Sequence, residues 1–233
     1  MKLSWSVTKK HSMEFIRLGH EIRMNDTKLI RKLIPPTSGL VLDIGSHDAF
    51  WSLRITKKMK ARVIYSDIDL NALTIAKSRG LTVVCADASA LPFRSEVFDG
   101  IFSVSVYQLL SNVHEAFSDA FRSLKTNGYF CYCVDSFTGK GYDDDEWKDS
   151  HSKREGVVTF FSKNFSQTYL NKAGFEVTHQ FCVLGNGWWR LIKILPRIGS
   201  FVLFFWPIFY PLVHFAYKSQ YETGQKLFAL ASK

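Results

Sequence analysis

The chain is 233 residues long, 46% hydrophobic, with a formal charge of +9 at neutral pH; this is enough to bury one good core with an embellishment, and too little for two full domains. The four cysteines, Cys85, Cys131, Cys133 and Cys182, lack CxxC spacing and a supporting histidine cluster, which argues against a zinc site and leaves small buried thiols in a reducing compartment. Residues 1–39 and 186–233 carry +5 each while residues 40–185 carry −1, so a neutral core has two basic ends suited to an anionic membrane surface or to nucleic acid.

The first fifteen residues, MKLSWSVTKKHSMEF, hold charges but no apolar stretch, so no secretory signal is expected and the chain is placed on the cytoplasmic side. From Ser12 to Leu33 apolar residues recur at helical spacing among arginines and lysines, predicting one or two amphipathic helices stopped by Pro35-Pro36. This region, 1–39, reads as a helical cover. The run LVLDIG then ends in Asp43 and Gly45, passes a short polar turn and enters FWSLRI, the pattern of a buried strand, a tight turn and a helix start.

Similar units follow. RVIYSDID (62–69) is a second strand ending at Asp67, LTVVCADASALPF (81–93) a third ending at Asp87, FDGIFSVSVYQLL a fourth, and GYFCYCVDSF (128–137) a fifth, with helical stretches between. Strands alternating with helices at this pitch predict an α/β, Rossmann-like, doubly wound and mostly parallel sheet. Residues 138–156 are charged and aperiodic and read as a mobile loop whose Asp143–Glu146 run is solvated; no metal site is expected there. A helix capped by Ser162 or Asn164 and stopped at Gly174 leads to a sixth strand, FEVTHQF.

Residues 40–182 taken together resemble class I S-adenosylmethionine-dependent methyltransferases, close to the small-molecule and quinone-type C- and O-methyltransferases. The resemblance rests on VLDIGSHDAF as glycine-rich first motif, YSDIDLNAL, ADASALPFRSEVFDGIFS, FRSLKTNGYF and FSQTYLNKAGFEV in that order. It implies S-adenosylmethionine as cofactor, held by Asp43, Gly45, Ser46, His47, Asp67, Ile68, Asp87, Ala88 and Ser103. Asp67 would take the ribose hydroxyls, and Asp87 with Ala88 the adenine edge. Each aspartate on its own fits a helix cap or a turn equally well. Where the family pattern G-x-G-x-G would have glycine, this chain has His47 and Ala49; alanine is cheap at negative φ, whereas His47 must fit its ring or accept positive φ. For catalysis the strand ends and the loop offer Tyr107, Gln108, Asp135 and His151, with Tyr107 equally readable as core.

The family's sheet closes with a seventh, antiparallel strand beside the sixth. If GQKLFALASK is that strand, within 221–233, then 40–184 is the methyltransferase core and 185–220 an insertion in the last hairpin. The insertion holds an uncharged run from Ile198 to Tyr217, broken by prolines, and an amphipathic piece Trp188–Leu195 with headgroup-layer residues. Both ends of a hairpin insertion lie on one side of a membrane, so a monotopic or peripheral attachment is expected rather than a span. The reading is a methyltransferase acting at a membrane surface on a lipid or lipid-linked acceptor. Its alternatives are a soluble small-molecule methyltransferase with an apolar dimer interface, and a non-catalytic membrane protein on a degenerate methyltransferase fold. Nucleic acid is disfavoured, since no N/D-P-P-Y motif is present.

Overall fold

The computed structural model describes residues 13–138, 145–185, 211, 215 and 220–233. A long helix α1 (Met13–Leu33) precedes β1 (Leu40–Ile44), α2 (Ser52–Thr56), β2 (Arg62–Asp67), α3 (Leu70–Ser78), β3 (Thr82–Cys85) and β4 (Phe98–Val104). After a 3-10 turn at Tyr107–Leu109 come α4 (Val113–Ser123), β5 (Leu124–Asp135), α5 (Asp145–Glu155), α6 (Lys163–Ala173), β6 (Glu176–Val183) and β7 (Lys226–Ser232). The seven strands form one sheet in the order β3-β2-β1-β4-β5-β7-β6. The first five in chain order run parallel, and β7 lies antiparallel between β5 and β6.

Strand alternation explains the two cores. On β5, Phe130, Tyr132 and Val134 point into a cluster with Phe98, Phe117, Phe161, Leu170 and Phe175, where α4 and α6 cover the sheet. Tyr129, Cys131 and Cys133 point the other way, to Ile30 and Ile34 at the end of α1, Ile55 of α2 and Phe228 of β7. A central strand buried on both faces needs this near-continuous apolar run. Helix α6 is capped as its sequence predicts: Ser162 Oγ accepts the Phe165 N–H at 3.1 Å and Gly174 ends it at φ 105°.

Three expectations are corrected. Residues 145–155 are the helix α5, not an irregular loop; its charges suit a helix, with Asp145 and Glu146 in the first turn, Lys153 and Arg154 in the last and a 2.6 Å Asp149–Lys153 pair, and His151 packs against Phe137. Strand β5 starts at Leu124, four residues before the start at Gly128 read from the sequence. Cys85 is exposed at the end of the edge strand β3, while the other three thiols are buried and unbridged. The amphipathic piece Trp188–Leu195 and the uncharged run lie outside the described residues, apart from Pro211 and the exposed Phe215, as do residues 139–144. Among the described residues no helix is long and apolar enough to cross a membrane.

Candidate active site

A cavity of about 700 Å³ opens where β1, β2 and β4 end, the edge at which parallel sheets take nucleotide ligands. Its floor is the β1 turn. Gly45 and Ser46 donate their backbone N–H groups to the Ser66 carbonyl at 2.8 and 2.9 Å, and a Cβ on Gly45 would stand 2.1 Å from Val106. Only a bare backbone fits there.

The three places of the glycine pattern share one conformation: φ is 75° at Gly45, 51° at His47 and 59° at Ala49. Ala49 therefore does not escape at negative φ, and both non-glycine residues sit in the left-handed region. Asp67 shows how the turn is held: one carboxylate oxygen accepts the His47 N–H at 2.7 Å and the other the Asp69 N–H at 2.9 Å. The His47 ring faces outward, its side chain 45% exposed and its Nδ1 3.6 Å from Asp48. The ring thus leaves the turn free.

Ile68, 71% exposed, and Ala88 give the cavity apolar walls, as expected of residues that sandwich a flat ring. Asp87 lies at the same wall; hydrogen bonds from the Ser89 N–H (2.8 Å) and hydroxyl (2.7 Å) pull its carboxyl below the usual range. Beneath the turn, Asp43 is fully buried and burial pushes its carboxyl up to about 8. Among the described residues its Oδ2 and the Ser46 hydroxyl have no hydrogen-bond partner. Two buried polar atoms left unmatched under a glycine turn fit the cationic amino-acid part of S-adenosylmethionine. From α1, Arg23 closes one side beside Phe50 and Trp51.

Some predicted residues stand elsewhere. The Ser103 hydroxyl donates to the Ile44 carbonyl at 2.9 Å, tying β4 to β1; Ser105, two residues on, is the wall residue instead. Tyr107 is core, stacked on Phe117 at 4.7 Å with its hydroxyl donating to the Ala116 carbonyl. Gln108 is buried behind the wall, its backbone carbonyl accepting from Val158 and Thr159.

Asp135 and His151, 16 residues apart, are brought to 3.4 Å. The other Asp135 oxygen takes a hydrogen bond from Lys226, whose ammonium also reaches Ser105 at 3.3 Å and Asp26 at 3.9 Å. Burial works to raise the Asp135 carboxyl, but Lys226 and His151 outweigh it and hold it well below the usual carboxylate range. It is a poor proton acceptor and a good holder of Lys226. Sequence reading missed Arg23, Ser105 and Lys226; the available signal was a lysine heading the buried strand KLFALAS, opposite the aspartate that ends β5.

Residues 42–132 match the model of the methyltransferase domain family. An uncharacterized protein of Methanocaldococcus jannaschii (MJ1123) is 28% identical over 177 residues, which are 73% of this chain and 82% of that protein. The ubiquinone/menaquinone biosynthesis C-methyltransferase UbiE of Rickettsia typhi is 28% identical over 60% of this chain, and the match spans 56% of that enzyme. In fold, phosphoethanolamine N-methyltransferase 2 of Haemonchus contortus, solved with S-adenosyl-L-methionine, superposes with a TM-score of 0.64 over 90% of this chain and 52% of that one, at 22% identity. The glycine turn, Asp67 and Asp87 all lie inside the segment that matches the methyltransferase domain family, and they line one cavity at the strand ends of a sheet with the fold of S-adenosylmethionine-dependent methyltransferases.

Proposed function

We propose that this methyltransferase acts on a lipid or lipid-linked acceptor at the cytoplasmic face of a membrane, to which residues 185–220 attach it. One observation carries the reading: the chain leaves β6 and returns to β7 beside the wall of the cofactor cavity. Cys182 and Tyr221 exchange backbone hydrogen bonds of 2.8 Å, and the Gln225 N–H donates to the Val183 and Leu184 carbonyls. The next residue, Lys226, touches Ser105 in the cavity wall. An uncharged run inserted at that point brings apolar surface to the side where an acceptor must enter. Because both ends return to one sheet, the proposed attachment leaves both ends of the segment on one side of the membrane. Similarity to a quinone-pathway C-methyltransferase agrees with a hydrophobic acceptor.

The test is incubation with methyl-labelled cofactor and the lipid extract of the host, run beside flotation with anionic liposomes. A labelled lipid band and co-flotation are expected. Label confined to water-soluble compounds, with the protein left in the supernatant, would sink the reading in favour of a small-molecule enzyme.

A further inference from the structure

Beside the cofactor cavity, three strands finish on left-handed residues that are not glycine: Ser105 after β4 (φ 58°), Phe137 after β5 (φ 44°) and Leu184 after β6 (φ 57°). All three are buried. Such backbone persists only where surrounding contacts impose it, and it gathers at functional sites. Here the contacts come from the head of β7. The Gln225 carbonyl accepts the N–H groups of Ser136 (2.8 Å) and Phe137 (3.3 Å), its N–H donates to Leu184 (3.2 Å), and Lys226 Nζ donates to Ser105 Oγ (3.3 Å).

That last bond sets the polarity of Ser105. An ammonium group has hydrogens to give and no lone pair to offer, so Ser105 Oγ is the acceptor and its own hydrogen points away from Lys226. Among the described residues no acceptor takes that hydrogen. A buried donor without a protein partner is unfavourable unless a ligand or a water in the cavity supplies one. Ser105 belongs to the cavity wall, next to Val104, Val106, Leu109 and Leu110.

The charge behind the hydroxyl is arranged to persist. Lys226 is buried; burial alone would lower its ammonium, but Asp135 and Asp26 reverse this and keep it protonated. Arg23 adds a second cation in the wall. The position therefore offers one donor hydrogen, polarised by an ammonium 3.3 Å behind it, beside the apolar Val104, Val106, Leu109 and Leu110 of the wall.

We propose that Ser105 binds the methyl acceptor, donating its hydrogen bond to an anionic oxygen of that molecule: a carboxylate, phenolate or enolate carried on an apolar body. The proposal rests on the methyltransferase reading of the cavity and is independent of whether the acceptor is a lipid. Lys226 is the positioning residue that fixes the hydroxyl's direction, and Asp135 holds Lys226.

The left-handed φ supplies a clean pair of variants. Ser105→Gly suits the backbone and deletes the hydroxyl; Ser105→Ala deletes it and keeps the strain. Wild type and both variants are incubated with labelled cofactor and host extract split into lipid and aqueous phases, and S-adenosylhomocysteine binding is measured by calorimetry. In whichever phase takes the label, half-saturating extract should rise at least about tenfold in both variants, the size expected for losing one hydrogen bond to a charged group. S-adenosylhomocysteine affinity should stay within about twofold of wild type, since this hydroxyl faces the acceptor.

Titration of the S-adenosylhomocysteine complex with benzoate, a flat apolar anion, reads the same contact without turnover. Binding by wild type that is lost in both variants is expected. Wild-type saturation in Ser105→Gly, a methylated group without an anionic oxygen, or no benzoate binding by wild type would each overturn the proposal. Label in the aqueous phase with both variants impaired would instead reject the lipid acceptor and leave the Ser105 contact standing.

Discussion

At the scale of single residues, the glycine turn persists without two of its glycines because Asp67 clamps it. His47 and Ala49 occupy left-handed φ, a conformation that disfavours a side chain by about 1–2 kcal/mol, partly offset by their smaller entropy loss on folding. His47→Gly and Ala49→Gly should therefore each stabilise the protein by up to about 1 kcal/mol in urea unfolding, with S-adenosylhomocysteine affinity unchanged. Destabilisation by both would mean that the turn relies on those side chains. Asp43 makes a second prediction. With its carboxyl pushed up to about 8 by burial, against relief from Ser52 and added repulsion from Asp67, it is protonated at neutral pH. A cationic ligand favours the anion, so cofactor binding should expel a proton near pH 7 and tighten as pH rises toward 8. Calorimetry in buffers of different ionisation enthalpy would detect that proton; binding with no proton release would refute the pairing. The same shift makes the unliganded fold less stable as pH rises from about 4 to 8, because the native state holds a proton that the unfolded chain has released.

At the scale of elements, β7 is joined to β5 by more than its ladder. Asp135 and Lys226 are register partners whose side chains meet in a buried ion pair, supported by His151 and Asp26. Removing one partner strands a buried charge, so Asp135→Ala should destabilise by about 3–5 kcal/mol. Asp135 is held low, so its contribution is fully present above the unfolded value near 4 and is lost as pH falls below it. In the variant that part of the acid sensitivity should vanish, which thermal melts between acidic and neutral pH would show. The α4 face gives a purely apolar comparison: Phe117 packs among Tyr107, Phe130, Tyr132 and Phe161, and Phe117→Ala should lose about 3–5 kcal/mol with little dependence on pH.

At the scale of the whole molecule, the ends of the 185–220 segment are already joined by the Cys182–Tyr221 bridge, so the sheet closes without it. Replacing residues 186–218 by a short glycine-serine link should leave a folded protein that binds S-adenosylhomocysteine but no longer floats with liposomes. Loss of cofactor binding would show that the segment builds the cavity as well. The alternation of strands and helices, the spacing from Gly45 to Asp67 to Asp87 and the caps of α6 were legible in the chain, because each depends on local periodicity or on neighbours a few residues away. Helix α5 was not legible, since its sequence is dominated by charged and polar residues without apolar periodicity. Neither was the pairing of Asp135 with His151, nor the place of Ser105 in the wall. The sequence by itself determined the fold class, implied the cofactor through its family resemblance, and singled out Asp67 and Asp87, which the fold brings to one cavity. Only the tertiary structure decided that His47 and Ala49 take glycine's conformation and that Lys226 stands behind Ser105, residues 121 positions apart. Those contacts arise where strands distant in the chain end side by side, and no local periodicity encodes which side chains will meet there.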